Sequence, residues 1–162
     1  MARRPESGID PSPQLVMAAD ARRQKGRRRH RTDAYRVLNG PADGAPPGLT
    51  LDAYGQWLVL AARSAVDEEV IRGWAEAARR ALEPDGIVIK TLTEDPRESR
   101  STVMGDRRPP LVMVREGEAS FECRLDDGIQ TGLFLDHRET RARAWDFSRE
   151  VERSEEHTSE LQ

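Results

Sequence analysis

The sequence predicts an α+β fold in which one helix covers a small, mainly antiparallel sheet, in the order strand, strand, helix, strand, strand. Residues 49–54 alternate between apolar and small or polar side chains, and residues 57–61 form an apolar return strand. Residues 67–82 then carry apolar side chains at helical spacing, and shorter apolar runs follow them. A helix placed between two strand pairs has to bury its apolar face against the sheet that those strands form.

The other predicted strands are short and end at turn residues. In chain order the predicted strands span 35–38, 49–54, 57–61, 86–90, a stretch around 102–104, and a hairpin of 111–115 and 119–125. Asp67 is the expected N-cap of the covering helix, which the turn at 84–86 ends. Trp74 lies on the apolar face of that helix and Trp57 begins a strand, so both are predicted to pack in the core rather than to stack on bases.

A second helix is predicted near the C-terminus. Asp136 is its expected N-cap, and Glu139 follows three residues later, which makes a D-x-x-E variant of the capping box. The helix is expected to run through Trp145 to about Val151.

Composition excludes several classes of protein. The chain has 162 residues, of which 36% are apolar and 34% charged. Its single cysteine, Cys123, rules out an internal disulfide and a multi-cysteine zinc site, and we predict no metal site. No apolar run approaches the roughly 20 residues that span a bilayer. No apolar segment follows the basic N-terminus as in a secretory signal, so a cytoplasmic location without membrane contact is expected.

Positive charge is concentrated at the N-terminus. Residues 1–31 hold nine basic and three acidic residues, although the whole chain has a net charge of −3. Residues 1–33 are therefore predicted to be a disordered basic arm, within which 13–23 could form a short helix. One interpretation is a solvated tail, and the other is an anchor for an RNA backbone. The candidate RNA-binding residues are Arg22, Arg23, Lys25, Arg27, Arg28, Arg29 and Arg31.

Two stretches resemble a known family. Residues 35–55 read YRVLNGPADGAPPGLTLDAYG and residues 130–138 read QTGLFLDHR. They resemble, in the same order, the opening motif and the K-T-G-x-F-L-D-Q-R element of the large-subunit (23S) ribosomal RNA cytosine-C5 methyltransferase family. The likeness covers roughly residues 34–150 and implies S-adenosylmethionine as cofactor and ribosomal RNA as partner. His137 stands where glutamine is common, and a related guanine-N7 family carries T-G-L-F-L-D-H-R, so the target base has two candidates.

The resemblance also implies a cofactor site, although it assigns no catalytic residue within this chain. The residues that would border the S-adenosylmethionine pocket are Thr131, Gly132, Leu133, Phe134, Asp136 and Arg138. The residues taken alone favour a plainer interpretation, in which Leu133 is core and Asp136 only caps a helix. Cytosine-C5 methylation needs a cysteine nucleophile, but Cys123 lies in an alternating strand and is predicted to be a buried structural residue.

These observations predict four parts of the chain. They are the basic arm at 1–33, the α+β domain at 34–126, the start of a Rossmann-like methyltransferase domain at 127–152, and an artefact at 153–162. The last segment resembles a translated sequencing adapter. We therefore expect an enzyme fragment that lacks the glycine-rich cofactor loop, is inactive alone and binds no measurable S-adenosylmethionine. The alternative is a complete, noncatalytic RNA-binding module.

Overall fold

The computed structural model describes residues 11–105 and 111–159, and the side chains as far as residue 151. Three helices and seven strands occur within these residues. The elements are α1 (Pro13–Arg29), β1 (Ala34–Asn39), β2 (Leu49–Tyr54), β3 (Trp57–Arg63), α2 (Glu68–Leu82), β4 (Gly86–Leu92), β5 (Arg100–Met104), β6 (Val112–Glu116), β7 (Ala119–Cys123) and α3 (Arg138–Ser159). Short 3-10 turns lie at Gly40–Asp43, Pro96–Glu98 and Leu135–His137.

Five strands form one sheet in the order β1-β2-β3-β4-β5, and β6 and β7 form a separate hairpin. Within the large sheet only β3 and β4 are parallel, because α2 connects them as a crossover helix. The neighbouring pairs are antiparallel. The predicted α+β class with a mainly antiparallel sheet is therefore confirmed.

One face of the sheet packs against α1 and α2. Trp74 and Ala78 of α2 are fully buried against Leu51 and Leu60 of the central strands. The helix begins where predicted, since the Asp67 side chain accepts a hydrogen bond from the Glu69 amide. This amphipathic helix supplies the larger core.

The opposite face packs against the β6–β7 hairpin. Trp57 and Val59 of the sheet form a second core with Val114, Cys123 and Leu133. Trp57 also packs against Gly86, where an added Cβ would clash with its ring. The prediction that both tryptophans are core residues is confirmed, because Trp57 and Trp74 are buried.

The N-terminal arm departs from the prediction. Residues 13–29 form a helix rather than a disordered tail, and residues 1–10 lie outside the described residues. The Ser12 side chain caps α1, and Val16 and Ala19 are buried in the first core. The Asp43 carboxylate binds two of its arginines, which offsets part of the repulsion among them. The sheet is therefore covered by two helices, not one.

The C-terminal helix also differs in detail. Asp136 is not its N-cap, because residues Leu135–His137 form a 3-10 turn and α3 begins at Arg138. The helix runs on past Val151 to Ser159. Among the described residues, no helix combines the length and apolar character needed to cross a membrane.

Candidate functional site

An open groove of about 960 Å³ crosses the hairpin-side face of the sheet. Its floor is formed by the part of the sheet that the hairpin leaves uncovered. One wall is the segment 129–136, which crosses the sheet between the hairpin and α3, and the other is the C-terminal half of α1. The groove therefore brings together the segment predicted to contact a cofactor and the helix predicted to contact RNA.

Strand register explains the shape of the floor. Thr50, Ala61 and Lys90 lie side by side in one cross-strand row, and Arg36, Asp52 and Val59 lie in the next. All six border the groove. Because the central residue of the first row carries only a methyl group, the floor is a trough between a threonine and a lysine.

Arg36 and Asp52 form a two-pronged ion pair on this floor. The Nε and Nη2 atoms of Arg36 lie 2.8 and 3.0 Å from the two carboxylate oxygens of Asp52. Burial raises the pKa of Asp52, and the hydrogen bond and charge of Arg36 oppose that rise. The hydrogen bond to Asp52 in turn raises the pKa of Arg36. This pair places Asp52 of β2 on the groove floor.

Lys90 is the most deeply buried cation of the groove. Its side chain is 2% exposed, and its Nζ donates a 3.1 Å hydrogen bond to the carbonyl of Ile129. Burial lowers the pKa of Lys90, while the negative charges of Asp126 and Asp127 act in the opposite direction. The lysine thus fastens the 129–136 wall to the sheet.

Tyr54 fastens the same wall at a second point. Its hydroxyl lies 2.8 Å from the Thr131 hydroxyl and donates a 3.4 Å hydrogen bond to the Leu133 carbonyl. The Thr131 hydroxyl also reaches that carbonyl at 3.3 Å. Burial raises the pKa of Tyr54 to about 12, so the phenol is neutral at physiological pH.

Replacement of Tyr54 by phenylalanine should loosen this wall without unfolding the chain. The ring would stay in the second core, and the Thr131 hydroxyl would lose one of its two partners, so the free energy of unfolding should fall by about 1 kcal/mol. Urea unfolding measures the change, and amide exchange should quicken at 131–133. A Tyr54→Phe chain that exchanges there at the wild-type rate would contradict this role.

Glu116 holds the start of α3 beside the groove. Its carboxylate accepts hydrogen bonds from Arg138 at 3.0 Å and from two nitrogens of Arg141 at 2.9 Å. Burial alone would raise the pKa of Glu116, but the hydrogen bonds from Arg141 and Arg138 outweigh it and lower the pKa. Arg138 also donates to the Ala34 carbonyl, and Arg141 donates to the Phe134 carbonyl. The hairpin turn is therefore locked to the end of the 129–136 wall.

All six residues predicted to border a cofactor line the groove. They divide into two groups by what their side chains already contact. Thr131, Leu133 and Arg138 are engaged by Tyr54, the second core and Glu116, respectively. The Phe134 ring is 52% exposed, and Gly132 and Asp136 are exposed as well. Only this second group presents unused surface to a ligand.

The predicted RNA-binding residues also fall into two groups, those already bound within the chain and those exposed to solvent. Arg22 and Arg23 bind the buried carboxylate of Asp43 at 2.8 and 2.7 Å, and the Arg27 guanidinium lies 5.2 Å from the centre of the Tyr35 ring. These three arginines line the groove. The other four basic residues do not line it, and each is exposed: Lys25, Arg28, Arg29 and Arg31.

Sequence reasoning missed three anchoring residues, Asp43, Lys90 and Glu116. A lysine closing the apolar strand at residues 86–90 was a visible signal for a buried charge. Asp43 lies in the 3-10 turn after β1, and its arginine partners lie 20 and 21 positions away. No local pattern marks such a long-range contact.

Cys123 is confirmed as a buried structural residue. It is fully enclosed in the second core, and burial raises the pKa of its thiol to about 11. A thiol with so high a pKa supplies little thiolate at neutral pH.

His137 is exposed beside Phe134, with ring centres 5.7 Å apart. No group of three metal-ligating side chains occurs within 11–105 and 111–151.

Comparison with known proteins gives a consistent picture. The chain is 35% identical over 126 residues to a ribosomal RNA large subunit methyltransferase of Deinococcus radiodurans, a match that covers 69% of this chain and 29% of that protein. The chain is similar to ribosomal RNA methyltransferases. A ribosomal RNA large subunit methyltransferase I of Erwinia tasmaniensis is 31% identical over 119 residues, covering 70% of this chain and 30% of the relative.

These relatives are much longer than the matched region. For the methyltransferase I of Escherichia coli O9:H4 (strain HS), 29% identical over 147 residues, the match covers 82% of this chain and 37% of the relative. The chain thus spans about a third of the length of the curated relatives that it matches. No protein-family model matches it.

Solved structures share the fold. A candidate methyltransferase complexed with SAH superposes with a TM-score of 0.62 at 22% identity, over 82% of this chain and 35% of the other. A candidate SAM-dependent methyltransferase from Streptococcus mutans gives the same values. At this identity the likeness establishes the architecture of the chain.

Proposed function

We propose that the chain is the substrate-side part of a longer S-adenosylmethionine-dependent methyltransferase that modifies 23S ribosomal RNA in the cytoplasm. One observation carries the proposal. The 130–138 element, which resembles the family motif preceding the cofactor domain, forms a wall of a cationic groove in a chain similar to ribosomal RNA methyltransferases. The short match to longer relatives supports the view that further residues complete the enzyme.

The exposed part of this wall suits the cofactor. S-adenosylmethionine would supply a methyl group from its sulfonium centre. In the proposal, the open ring of Phe134 packs against the purine and the exposed carboxylate of Asp136 pairs with a cationic group of the cofactor. Gly132, at φ +88°, takes a left-handed backbone conformation that favours glycine. Thr131, Leu133 and Arg138 act as positioning residues, because their side chains hold the wall in place.

RNA contact is proposed for the outer surface of α1 and the groove. Lys25, Arg28, Arg29 and Arg31 are exposed and fit a phosphate backbone, which they would bind without reading its sequence. Arg22, Arg23 and Arg27 have a different proposed role. Their guanidinium groups already bind Asp43 or cover Tyr35, and they shape the groove wall.

The proposed target is C5 of a cytosine, with N7 of a guanine as the second candidate. C5 methylation needs a thiolate that attacks the pyrimidine ring. Cys123 cannot serve, since it is fully buried and its pKa is raised. A C5 enzyme would therefore take its nucleophile from residues beyond these 162. N7 of guanine carries its own lone pair and needs no such nucleophile, and the His137 variant of the motif favours it.

The test is methyl incorporation by the complete gene product. The genomic locus is read past codon 152, where a strand followed by a glycine-rich cofactor loop is expected. The full product is then incubated with tritiated S-adenosylmethionine and unmodified 23S ribosomal RNA, and the nucleosides are separated. Labelled 5-methylcytidine supports the first target and 7-methylguanosine the second. A stop codon with no incorporation would leave the noncatalytic RNA-binding module instead.

A further inference from the structure

Most cations that border the groove are already neutralised. Arg22 and Arg23 share Asp43, Arg36 is paired with Asp52, and Arg138 with Glu116. These are contacts of about 2.7–3.0 Å between opposite charges. Such guanidinium groups have little left to offer an incoming anion.

Lys90 is different. Within the described part of the chain it makes no ion pair at 4.0 Å or less, and its hydrogen bond goes to the neutral carbonyl of Ile129. An ammonium group has three N–H donors, so two remain for a ligand. Its neighbour in the row, Ala61, leaves the space above the floor open. A charged group held this deep at the edge of a cavity is stabilised when an anion joins it.

We propose that Lys90 binds a phosphate of an RNA strand that lies along the groove. The inference rests on the proposed function and adds to it a specific contact on the sheet floor. The compact ammonium group of a lysine binds phosphate as a point charge. It lacks the planar, two-pronged donor geometry with which arginine binds a carboxylate.

The surroundings favour RNA over an acidic protein segment. Six cationic and two acidic side chains border the groove. The cationic ones are Arg22, Arg23, Arg27, Arg36, Lys90 and Arg138, and the acidic ones are Asp52 and Asp136. Beyond the groove, Lys25, Arg28 and Arg29 are exposed on α1 and extend the positive surface, which suits the regularly spaced phosphates of a nucleic-acid strand. A groove with one ammonium group free of an ion pair on its floor, continued by exposed cations on α1, therefore suits a strand that carries one phosphate per nucleotide.

The experiment measures binding of a fluorescein-labelled, unstructured 12-nucleotide RNA by anisotropy at several salt concentrations. Lys90→Gln should weaken binding about 5- to 10-fold and reduce the slope of log K against log salt by about 0.7, the contribution of one phosphate contact on a single strand. Arg80→Gln is the matched control, because it removes the same charge from an exposed position on α2, on the other face of the sheet. It should leave both values unchanged.

A second measurement uses the unmodified chain, so that it does not depend on the folding of a variant. Titration with uridine 3′-monophosphate should shift the NMR signals of the Lys90 ammonium and the Ile129 amide. Equal affinity and salt slope for wild type and Lys90→Gln, or no shift at these two groups, would overturn the Lys90 contact while RNA binding stands. Absence of RNA binding by the wild type, or preference for polyglutamate, would overturn it together with the RNA role of the groove. Methyl incorporation tests the enzyme assignment separately.

Discussion

Replacement of Asp43 by asparagine is expected to lower the free energy of unfolding by about 2–3 kcal/mol. The Asp43 carboxylate is 2% exposed and accepts hydrogen bonds from the side chains of Arg22 and Arg23 and from the backbone N–H of Asn39. Asparagine would keep one acceptor but lose the charge that offsets two arginines. The effect falls below that of a fully buried pair because both guanidinium groups are partly exposed.

Urea unfolding of the two proteins measures this difference, with Asp85→Asn as an exposed control. Amide exchange should also quicken along α1, because Asp43 joins that helix to the turn after β1. A change below 0.5 kcal/mol, with α1 exchanging as in the wild type, would show that other contacts of α1, such as the buried Val16 and Ala19, hold the helix.

Acidification should weaken the same contact. Burial alone would raise the pKa of Asp43, but the hydrogen bonds from Arg22 and Asn39 and the charges of Arg23 and Arg22 outweigh it and lower the pKa. A carboxyl group whose pKa is lower in the folded than in the unfolded state stabilises the fold at pH values above its unfolded pKa of about 4. That stabilisation is lost as the pH falls through the folded-state pKa. Unfolding free energies measured between pH 6 and pH 2.5 should therefore decline less in Asp43→Asn than in the wild type.

Glu116→Gln is expected to release the start of α3 from the hairpin. The Glu116 side chain is 9% exposed. Loss of its charge leaves the largely buried guanidinium groups of Arg138 and Arg141 without a countercharge. The cost should be about 3 kcal/mol. Since α3 has few other contacts with the sheet, the loss should appear as local opening rather than global unfolding.

Amide exchange at 134–141 reports this opening. Glu118→Gln is the matched control on the same hairpin, because its side chain is 62% exposed and lies 3.7 Å from Arg149. Exchange at 134–141 should be at least tenfold faster in Glu116→Gln and unchanged in Glu118→Gln. Equal rates in the two variants would mean that Arg138 and Arg141 are held by the Ala34 and Phe134 carbonyls instead.

Local sequence patterns were sufficient for the central sheet. The strand at 49–54 and the helix at 68–82 each bury one face, so the spacing of their apolar residues is visible in the sequence. Prediction failed for α1, which is rich in charged residues and whose buried residues are Val16 and Ala19. It is also anchored by two ion pairs between positions about 20 residues apart, and no periodicity encodes such contacts.

The sequence indicated which segment lies at the candidate site but not what each of its residues does. The resemblance at residues 130–138 singled out a segment that lines the groove, and its contact with a cofactor stays a prediction. It could not separate residues that hold the wall, such as Thr131, from those that face outward, such as Phe134. That division depends on Tyr54 and Lys90, which approach the wall from strands 77 and 39 positions away in the sequence.

Hydrogen exchange of the chain with and without a fragment of 23S ribosomal RNA tests the central claim most directly. If RNA lies in the groove, amides at 129–136, around Lys90 in β4 and along residues 22–29 of α1 should be protected in the complex. The outer surface of α2 should exchange as in the free chain. Protection confined to α2, or a stable complex with no protection at 129–136, would contradict the account.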